Sequence, residues 1–460
     1  MVKSDKDRIS DRIREPKPYF KTRLPHGRGA TEQPNATGDG DAELNPKFWL
    51  MLVLTGIGSG IFGILMMMIL YSVQHTTYHY HVGEFQIAVG KVAPIYRFYA
   101  LLIAGAIGGP AWFLLNKWTK GQKSEVDDIV WSGKGELSFQ KSLGTSIIQE
   151  VVIGLGASLG REAAPKLMGA ITGTYIGRWA RLSPAQKRLL IACGAGAGLA
   201  AVYNVPLGGA LFTAEIMLGE VTLPVVLPAI GCSVIATAMT YVYLPNRATY
   251  LGLPNFQLRW TEVIWSLVAG PIIAIFATGF VRLVGFISHH RLSGKAVIFG
   301  PLISFGLLGL IGMKYYELFG NGKDMAKSVF SGQIGSLEVL AILFMLKPIL
   351  TSIALGSGAS GGLFTPLLAS GAVLGGFLGG VWSFIDPGGS VSAYAILGAA
   401  ATLGAGLQAP LAGLVLVLEL THTGLQIIVP MMIVTLIATA MSRHLDGYSI
   451  YSARLPGTGE

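Results

Sequence analysis

The feature that most constrains the fold of this chain is a series of long apolar runs. A helix that crosses a bilayer needs about 20 mainly apolar residues. Hydrophobic residues make up 52% of the chain and charged residues only 13%, whereas soluble domains carry about 25% charged residues. The sequence therefore predicts an all-α integral membrane protein. The candidate spans are Trp49–Val73, Ile95–Trp118, Thr222–Tyr243, Val263–Ile287, Val297–Met313, Val339–Leu355 and Ile427–Met441.

Two further regions are apolar but interrupted by glycine and proline, from Leu143 to Glu220 and from Leu363 to Leu420. We expect tilted, shorter or broken helices there. The chain contains 62 glycines, and small residues let membrane helices approach closely.

The polar ends and the charge distribution predict how the chain sits in the membrane. Residues 1–46 are rich in charge, proline and glycine, which is typical of a flexible cytoplasmic tail. A membrane domain is expected over 47–455, followed by a short tail at 456–460. The formal net charge is +9, and most Lys and Arg residues fall in linkers and tails. This bias indicates cytoplasmic termini, and it needs no nucleic-acid partner because no folded basic surface is evident.

The sequence indicates no metal or other cofactor. His75, His79 and His81 are interpreted as part of a solvated loop, and metal binding is the alternative because a helical i, i+4 pair can grip an ion. Cys193 and Cys232 lie in apolar runs and are interpreted as small buried residues.

Two motifs occur twice, in the same order. Gly154–Pro165 and Gly356–Pro366 share the pattern Gly-x-Gly-Ala-Ser-x-Gly. Asn204–Glu215 and Gln408–Glu419 share Pro-Leu-small-Gly, with a glutamate nine residues after the proline. The copies of the first motif are 202 positions apart and those of the second are 204 apart. This agreement predicts two repeats, at about 47–245 and 260–445.

An internal repeat in a membrane protein is typical of a transporter, with its site near the midplane where broken helices meet. If each repeat crosses the membrane an odd number of times, the copies are inverted and their helix N-termini point inward from opposite sides. Helix N-termini carry partial positive charge and free N–H groups, so such a site favours an anion. Arg161 and Glu162 lie in the first motif, and ionisable groups at membrane depth usually face a pathway or a partner.

These motifs resemble the CLC family of chloride channels and chloride/proton antiporters. The matching segments are Gly160-Arg161-Glu162, Gly362–Pro366, the Asn-Val-Pro-Leu-Gly-Gly block at 204–209 and Ile450–Ala453. The resemblance implies a homodimer with one pore per subunit, two inverted halves of tilted helices and an anion path lined by backbone amides.

The resemblance also implies roles for single residues. Glu162 is similar to the family's external gating glutamate, which competes for the anion site when deprotonated and swings away when protonated. The N–H groups of Leu363 and Phe364 and the Tyr451 hydroxyl are similar to the central anion ligands. Gly160, Arg161 and the amides that follow are similar to the start of the outer anion site.

Four departures from the family pattern bear on function. The family's Gly-Ser-Gly-x-Pro loop is matched with Gly133–Leu137, where Lys134 replaces the serine. Lys134 then holds the anion tightly, pairs with Glu162 or points away into water. Pro165 falls one place late after Glu162.

Antiporters usually carry two adjacent glutamates where this chain has Glu215-Ile216, which leaves Glu215 a role in a proton path or in structure. The chain ends soon after Tyr451, without the family's CBS pair, which suggests a prokaryotic member in a bacterial inner membrane.

The sequence therefore predicts transport of chloride or a similar small monovalent anion through a pore gated by Glu162, with the anion, protons, lipid and a second copy as partners. Coupled exchange with protons and uncoupled conduction both stay open, as do fluoride and nitrate. An intramembrane enzyme is disfavoured because no nucleophile–base pair or metal-ligand pair lies at membrane depth. A non-transporting scaffold would require Lys134 to lock the pore.

Overall fold

A computed structural model describes residues 42–81, 83–122, 124–133, 135–254, 256–334 and 336–455. Within these ranges the chain forms α-helices, short 3₁₀ and π-helical turns, and no β-strand. The predicted tails at 1–46 and 456–460 lie almost wholly outside the described residues.

The helices of the first half begin with a long span and end with a shorter one. They are Pro46–Tyr78 (α1), Phe85–Lys91 (α2), Pro94–Trp118 (α3), Val126–Ser132 (α4), Phe139–Gly154 (α5), Ala163–Trp179 (α6), Pro184–Tyr203 (α7), Pro206–Leu211 (α8) and Leu223–Thr240 (α9). A π-helical segment, Phe212–Leu218, continues α8.

The second half likewise begins with a long helix and ends with a shorter one. Its members are Trp260–His289 (α10), Ala296–Gly312 (α11), Lys323–Phe330 (α12), Leu337–Gly356 (α13), Phe364–Trp382 (α14), Val391–Leu407 (α15), Pro410–Thr421 (α16) and Ile428–Leu445 (α17). Equivalent contacts follow: α6 packs on α7 as α14 packs on α15, and α1 packs on α9 as α10 packs on α17. Gly160 and Gly362, equivalent in the two motifs, pair antiparallel, as two inverted copies related by a two-fold axis require.

Seven described helices are long and apolar enough to cross a membrane: α1, α3, α9, α10, α13, α14 and α17. Six of them coincide with apolar runs in the sequence. The run Val297–Met313 instead forms the shorter apolar helix α11, and α14 lies in a region where tilted, shorter or broken helices were expected. There α14 is one continuous helix, and its glycines serve packing.

Glycine contacts between helices have the same pattern in both halves. A Cβ on Gly375 of α14 would lie 2.4 Å from the Tyr394 carbonyl oxygen and 2.8 Å from the Gly398 Cα on α15. In the first half, a Cβ on Gly169 of α6 would lie 2.0 Å from the Gly194 carbonyl oxygen on α7. Both helix pairs therefore approach backbone to backbone, which brings the starts of α6 and α14 together at the centre.

Candidate functional site

The two glycine-rich motifs meet at a pair of backbone hydrogen bonds. The Gly160 N–H donates to the Gly362 carbonyl, and the Gly362 N–H donates to the Gly160 carbonyl, each at 2.8 Å. The next residues in each copy, Arg161-Glu162 and Leu363-Phe364, lead directly into α6 and α14. The structure thus places the N-termini of two helices, from opposite halves, at one point, as the sequence predicts.

The Glu162 carboxylate lies in the amide groups at the start of α14. Its Oε1 accepts from the Phe364 N–H at 2.8 Å and from the Thr365 N–H at 3.4 Å. Its Oε2 accepts from the Thr365 hydroxyl at 2.9 Å and from the Tyr203 hydroxyl at 3.4 Å. Only 2% of Glu162 is exposed. A buried carboxylate therefore occupies donors that suit an anion.

Two cavities reach the chain neighbours of Glu162. One, here called the outer cavity, has a volume of about 770 Å³ and reaches Arg161 and Tyr203. The other, here called the basic cavity, has a volume of about 660 Å³ and reaches Ala163, Gly361 and Tyr451. Arg161 lines the outer cavity and Ala163 lines the basic cavity, so Glu162 lies between the two cavities along the chain.

The basic cavity has an excess of positive charge. It is lined by the cations Lys117, Lys120, Lys141, Lys166, Arg291 and Arg454, and by the acids Glu125 and Asp127. Arg291, in the loop after α10, donates to the Gly358 carbonyl at 2.7 Å and to the Ser360 hydroxyl at 3.1 Å. Burial lowers the pKa of its guanidinium, and the like charge of Arg454 lowers it further. The cavity therefore concentrates anions.

Arg161 forms the inner end of the outer cavity. Its Nη1 donates to the Tyr71 hydroxyl at 3.2 Å, and its Cζ lies 4.9 Å from the centre of the Tyr203 ring. Three further cations, Arg247, Lys323 and Lys327, and two acids, Glu84 and Asp324, line the same cavity.

Tyr451 and Lys166 meet at the inner end of the basic cavity. The Lys166 ammonium lies 4.4 Å from the centre of the Tyr451 ring and 3.1 Å from an Asp127 carboxylate oxygen. Sequence reasoning missed Lys166 as well as Tyr203 and Thr365. Lys166 had a usable signal, because it is a lysine inside an apolar helix directly after Pro165. Tyr203 had none, since it reaches the site only through the packing of α7.

Lys134, matched with the central anion loop in the sequence, lies outside the described residues. Its neighbours Gly133 and Gly135 are exposed at the C-terminal end of α4. At the N-terminal end of α4, Ser124, Glu125 and Val126 line the basic cavity.

Glu215 lies at the contact between the two repeats. It accepts from the Leu411 and Ala412 N–H groups at 3.3 and 2.6 Å. Glu419 accepts from the Leu207 and Gly208 N–H groups at 3.1 and 2.6 Å. Each glutamate therefore caps the helix start that follows the proline of the other repeat.

The three histidines gather near the outer end of α1. His75 lies within the last turn of α1, and His79 follows the helix with a φ of 51°, so the predicted loop begins later than expected. The His75 and His81 ring centres are 6.3 Å apart. Among the described residues, no group of three or more His, Cys, Asp or Glu side chains has a metal-binding arrangement.

Fold and site together define a multi-pass integral membrane protein in which two inverted repeats meet beside a buried carboxylate. The chain belongs to the voltage gated chloride channel family, whose model matches residues 104–443. It is 31% identical to the H⁺/Cl⁻ exchange transporter ClcA of Yersinia pestis bv. Antiqua over 350 residues, covering 74% of this chain and 71% of the relative.

Solved structures have the same fold. A slow cyanobacterial Cl⁻/H⁺ antiporter superposes with a TM-score of 0.74 at 23% identity, covering 89% of this chain and 97% of the other. A CLC-type fluoride/proton antiporter superposes with a TM-score of 0.71 at 22% identity, covering 88% and 97%.

Proposed function

We propose that this protein carries a small monovalent anion, with chloride as the first candidate, across a membrane in exchange for protons, and that Glu162 is the gate. The observation that carries the proposal is the position of Glu162. Its carboxylate occupies the amide donors of Phe364 and Thr365, and its two chain neighbours line the two cavities.

The chemistry follows from competition for those donors. An ionised carboxylate and a permeating anion both accept from the same N–H groups, so only one can occupy them. Protonation removes the negative charge of Glu162 and weakens its hold on the amides. Proton binding and anion occupancy are therefore linked, and linkage of this kind acts in both directions.

The charge of the basic cavity and the similarity to a known exchanger support chloride as the anion. The basic cavity attracts anions in general, and the named relative in Yersinia pestis is an H⁺/Cl⁻ exchanger. Fluoride and nitrate are the other candidates, because the amide donors select for negative charge rather than for one ion.

We further propose a bacterial inner membrane, cytoplasmic termini and a homodimer. Leu455, the last described residue, lines the basic cavity, and the Glu43 carbonyl near the start of α1 accepts from Gln186 at the start of α7. The positive-inside bias assigns this basic side to the cytoplasm. The homodimer rests on family membership.

A second candidate function is uncoupled anion conduction. It is favoured by Ile216, which is 1% exposed and follows Glu215, at the position where the resemblance implies a proton-accepting glutamate. An isoleucine carries no proton, so coupled exchange requires another internal route.

The deciding experiment uses purified protein in liposomes under a chloride gradient with valinomycin present, with chloride efflux and external pH recorded together. Exchange predicts proton movement against the proton gradient, driven by chloride. Chloride efflux without proton movement would establish the uncoupled function. If neither ion moves, the same assay with fluoride and nitrate tests the remaining anions.

A further inference from the structure

A second buried carboxylate lies near the gate, on α5. Glu150 has no exposed surface, and neither of its carboxylate oxygens has a hydrogen-bond partner in the described part of the chain. The charged groups that act on it are Arg161 and Glu162. The Arg161 Nε is also buried without a partner among the described residues. Leaving a buried charged group unpaired is costly, so this pair of groups needs an explanation.

Two serines continue the same face of α5 toward the basic side of the membrane. Ser142 and Ser146 precede Glu150 by eight and four residues, so the three side chains share one helix face. Both serines have no exposed surface, and their hydroxyls have no partner within the described ranges. The row spans about 12 Å along the helix axis.

This row is distinct from the surface that lines the basic cavity. The basic cavity is lined by Lys141, Thr145 and Gln149. Each of these residues directly precedes one residue of the row, so the row lies about 100° away from the cavity-lining face around the axis of α5. α5 also packs on α1 and α6, so the row lies inside the protein beside the anion path.

We propose that Ser142, Ser146 and Glu150 line an internal water-filled proton path from the basic side of the membrane, and that Glu150 holds the proton next to Glu162. This inference rests on the proposed exchange. It supplies an internal proton route, which Ile216 cannot provide because its side chain carries no proton. Buried polar atoms without protein partners are commonly satisfied by ordered water. Successive members of the row are about 6 Å apart along the axis, and one bridging water spans about 5.5 Å through two hydrogen bonds.

The proton balance of the step is simple. Protonated Glu150 loses its proton to a bridging water, and that water passes a proton to the Glu162 carboxylate. Glu162 becomes neutral and leaves the amides of Phe364 and Thr365, which an anion then occupies. Glu150 remains as a carboxylate facing Arg161 and takes its next proton from the water beside Ser146. Only O–H bonds form and break.

The test is the liposome assay on the full chain with Glu150→Gln. We expect anion flux to persist and proton flux to fall roughly tenfold or more, as for loss of a proton-transfer group. Glu262→Gln is the matched control, because Glu262 is 1% exposed on α10 and its carboxylate caps that helix. It should leave the ratio of protons to anions unchanged.

A second variant covers the case in which Glu150→Gln does not fold. Ser142→Ala with Ser146→Ala removes two water-binding hydroxyls with little change in shape, and we expect proton flux to fall while anion flux persists. Ser59→Ala, a buried serine that donates to the Thr55 carbonyl, is its control.

The outcomes separate the two proposals. An unchanged ratio of protons to anions in a folded Glu150→Gln variant, or in the double serine variant, would overturn the path alone. Wild-type protein that moves anions but no protons would overturn both the exchange and the path, while anion transport would stand.

Discussion

The two glycine-rich loops of this protein share a backbone but differ in chemistry. The first loop, 154–165, and the second, 356–366, pair through Gly160 and Gly362 and each starts a helix. At equivalent positions the first loop carries Arg161 and Glu162, whereas the second carries Leu363 and Phe364. One copy supplies the charged groups and the other supplies the amides that receive a carboxylate.

This difference shows how a duplicated scaffold makes a directional site. Two identical loops would present either two carboxylates, which repel each other, or two sets of amides without a gate. Keeping the backbone pair and changing two side chains instead places one titratable carboxylate against one set of amide donors, as the proposed gate requires. The following predictions test that division of roles.

The largest effect is expected from Glu162→Gln, which removes the titrating group of the first loop. Glutamine keeps the shape but cannot ionise, so we expect coupled proton flux to fall by roughly 100-fold while anion flux persists. The liposome assay measures both in one sample. Unchanged proton movement in this variant would show that the first loop does not hold the gate.

An intermediate effect is expected from Gly160→Ala and from Gly362→Ala. A Cβ at these positions would lie 2.1 and 2.0 Å from Glu162 Oε1, so the flexible carboxylate must leave the amides. We expect anion flux at neutral pH to rise and its pH dependence to flatten, in the same direction for both variants. Gly279→Ala is the control, since no atom lies within 4 Å of its Cβ. Opposite effects of the two site variants would contradict the shared geometry.

Stability rather than transport is expected to change in Glu215→Gln and Glu419→Gln. Each substitution weakens two hydrogen bonds from backbone N–H groups to a charged acceptor, which costs about 1–3 kcal/mol. Thermal unfolding in detergent should show similar losses for the two variants. A loss of proton coupling in Glu215→Gln alone would instead place Glu215 in the proton path.

A smaller effect is expected from Lys166→Leu combined with Asp127→Asn, which makes α6 resemble α14, where Leu368 is the equivalent residue. In the wild-type protein, the Asp127 carboxylate and the open cavity screen the charge of the Lys166 ammonium. Loss of this charge should therefore weaken anion binding by only about 1 kcal/mol. Calorimetric titration measures the change. Unaltered affinity would mean that Tyr451 and the amides suffice.

The smallest effect is expected from Lys134→Ser. The sequence match with the central anion loop predicts altered affinity, whereas the exposed neighbours Gly133 and Gly135 favour little change. The same calorimetric titration distinguishes altered from unaltered affinity, with the Lys166→Leu, Asp127→Asn double variant as the internal reference.

The sequence predicted the two-repeat architecture well, because an internal duplication places equivalent motifs at a constant separation along the chain. Motifs 202 positions apart indicated that residues near 160 and 362 meet, and the backbone pair shows that they do. The number of candidate spans, seven, agrees with the structure, but one span differs: α14 is long enough to cross a membrane and α11 is shorter. The glycines of α14 pack against α15, where Gly375 lies close to Gly398.

Partners brought in by packing were beyond sequence reasoning. Thr365 reaches Glu162 from 203 positions away, and Tyr203 from 41. Glu150 was hidden for a different reason. The sequence shows a single acid in an apolar run, but it does not show whether a cation, a backbone amide or water lies beside that acid. The packing of the surrounding helices decides this.

The reciprocal caps of Glu215 and Glu419 have a consequence for biosynthesis. Glu215 is translated 196 and 197 residues before Leu411 and Ala412, the residues whose N–H groups it accepts from. At about 5–20 residues per second, a ribosome needs roughly 10–40 s to supply those partners. During that interval the first half lies in the bilayer with an unsatisfied carboxylate, and the uncapped start of α8 waits equally long for Glu419. The contact between the two halves therefore cannot form until most of the second half has been synthesised.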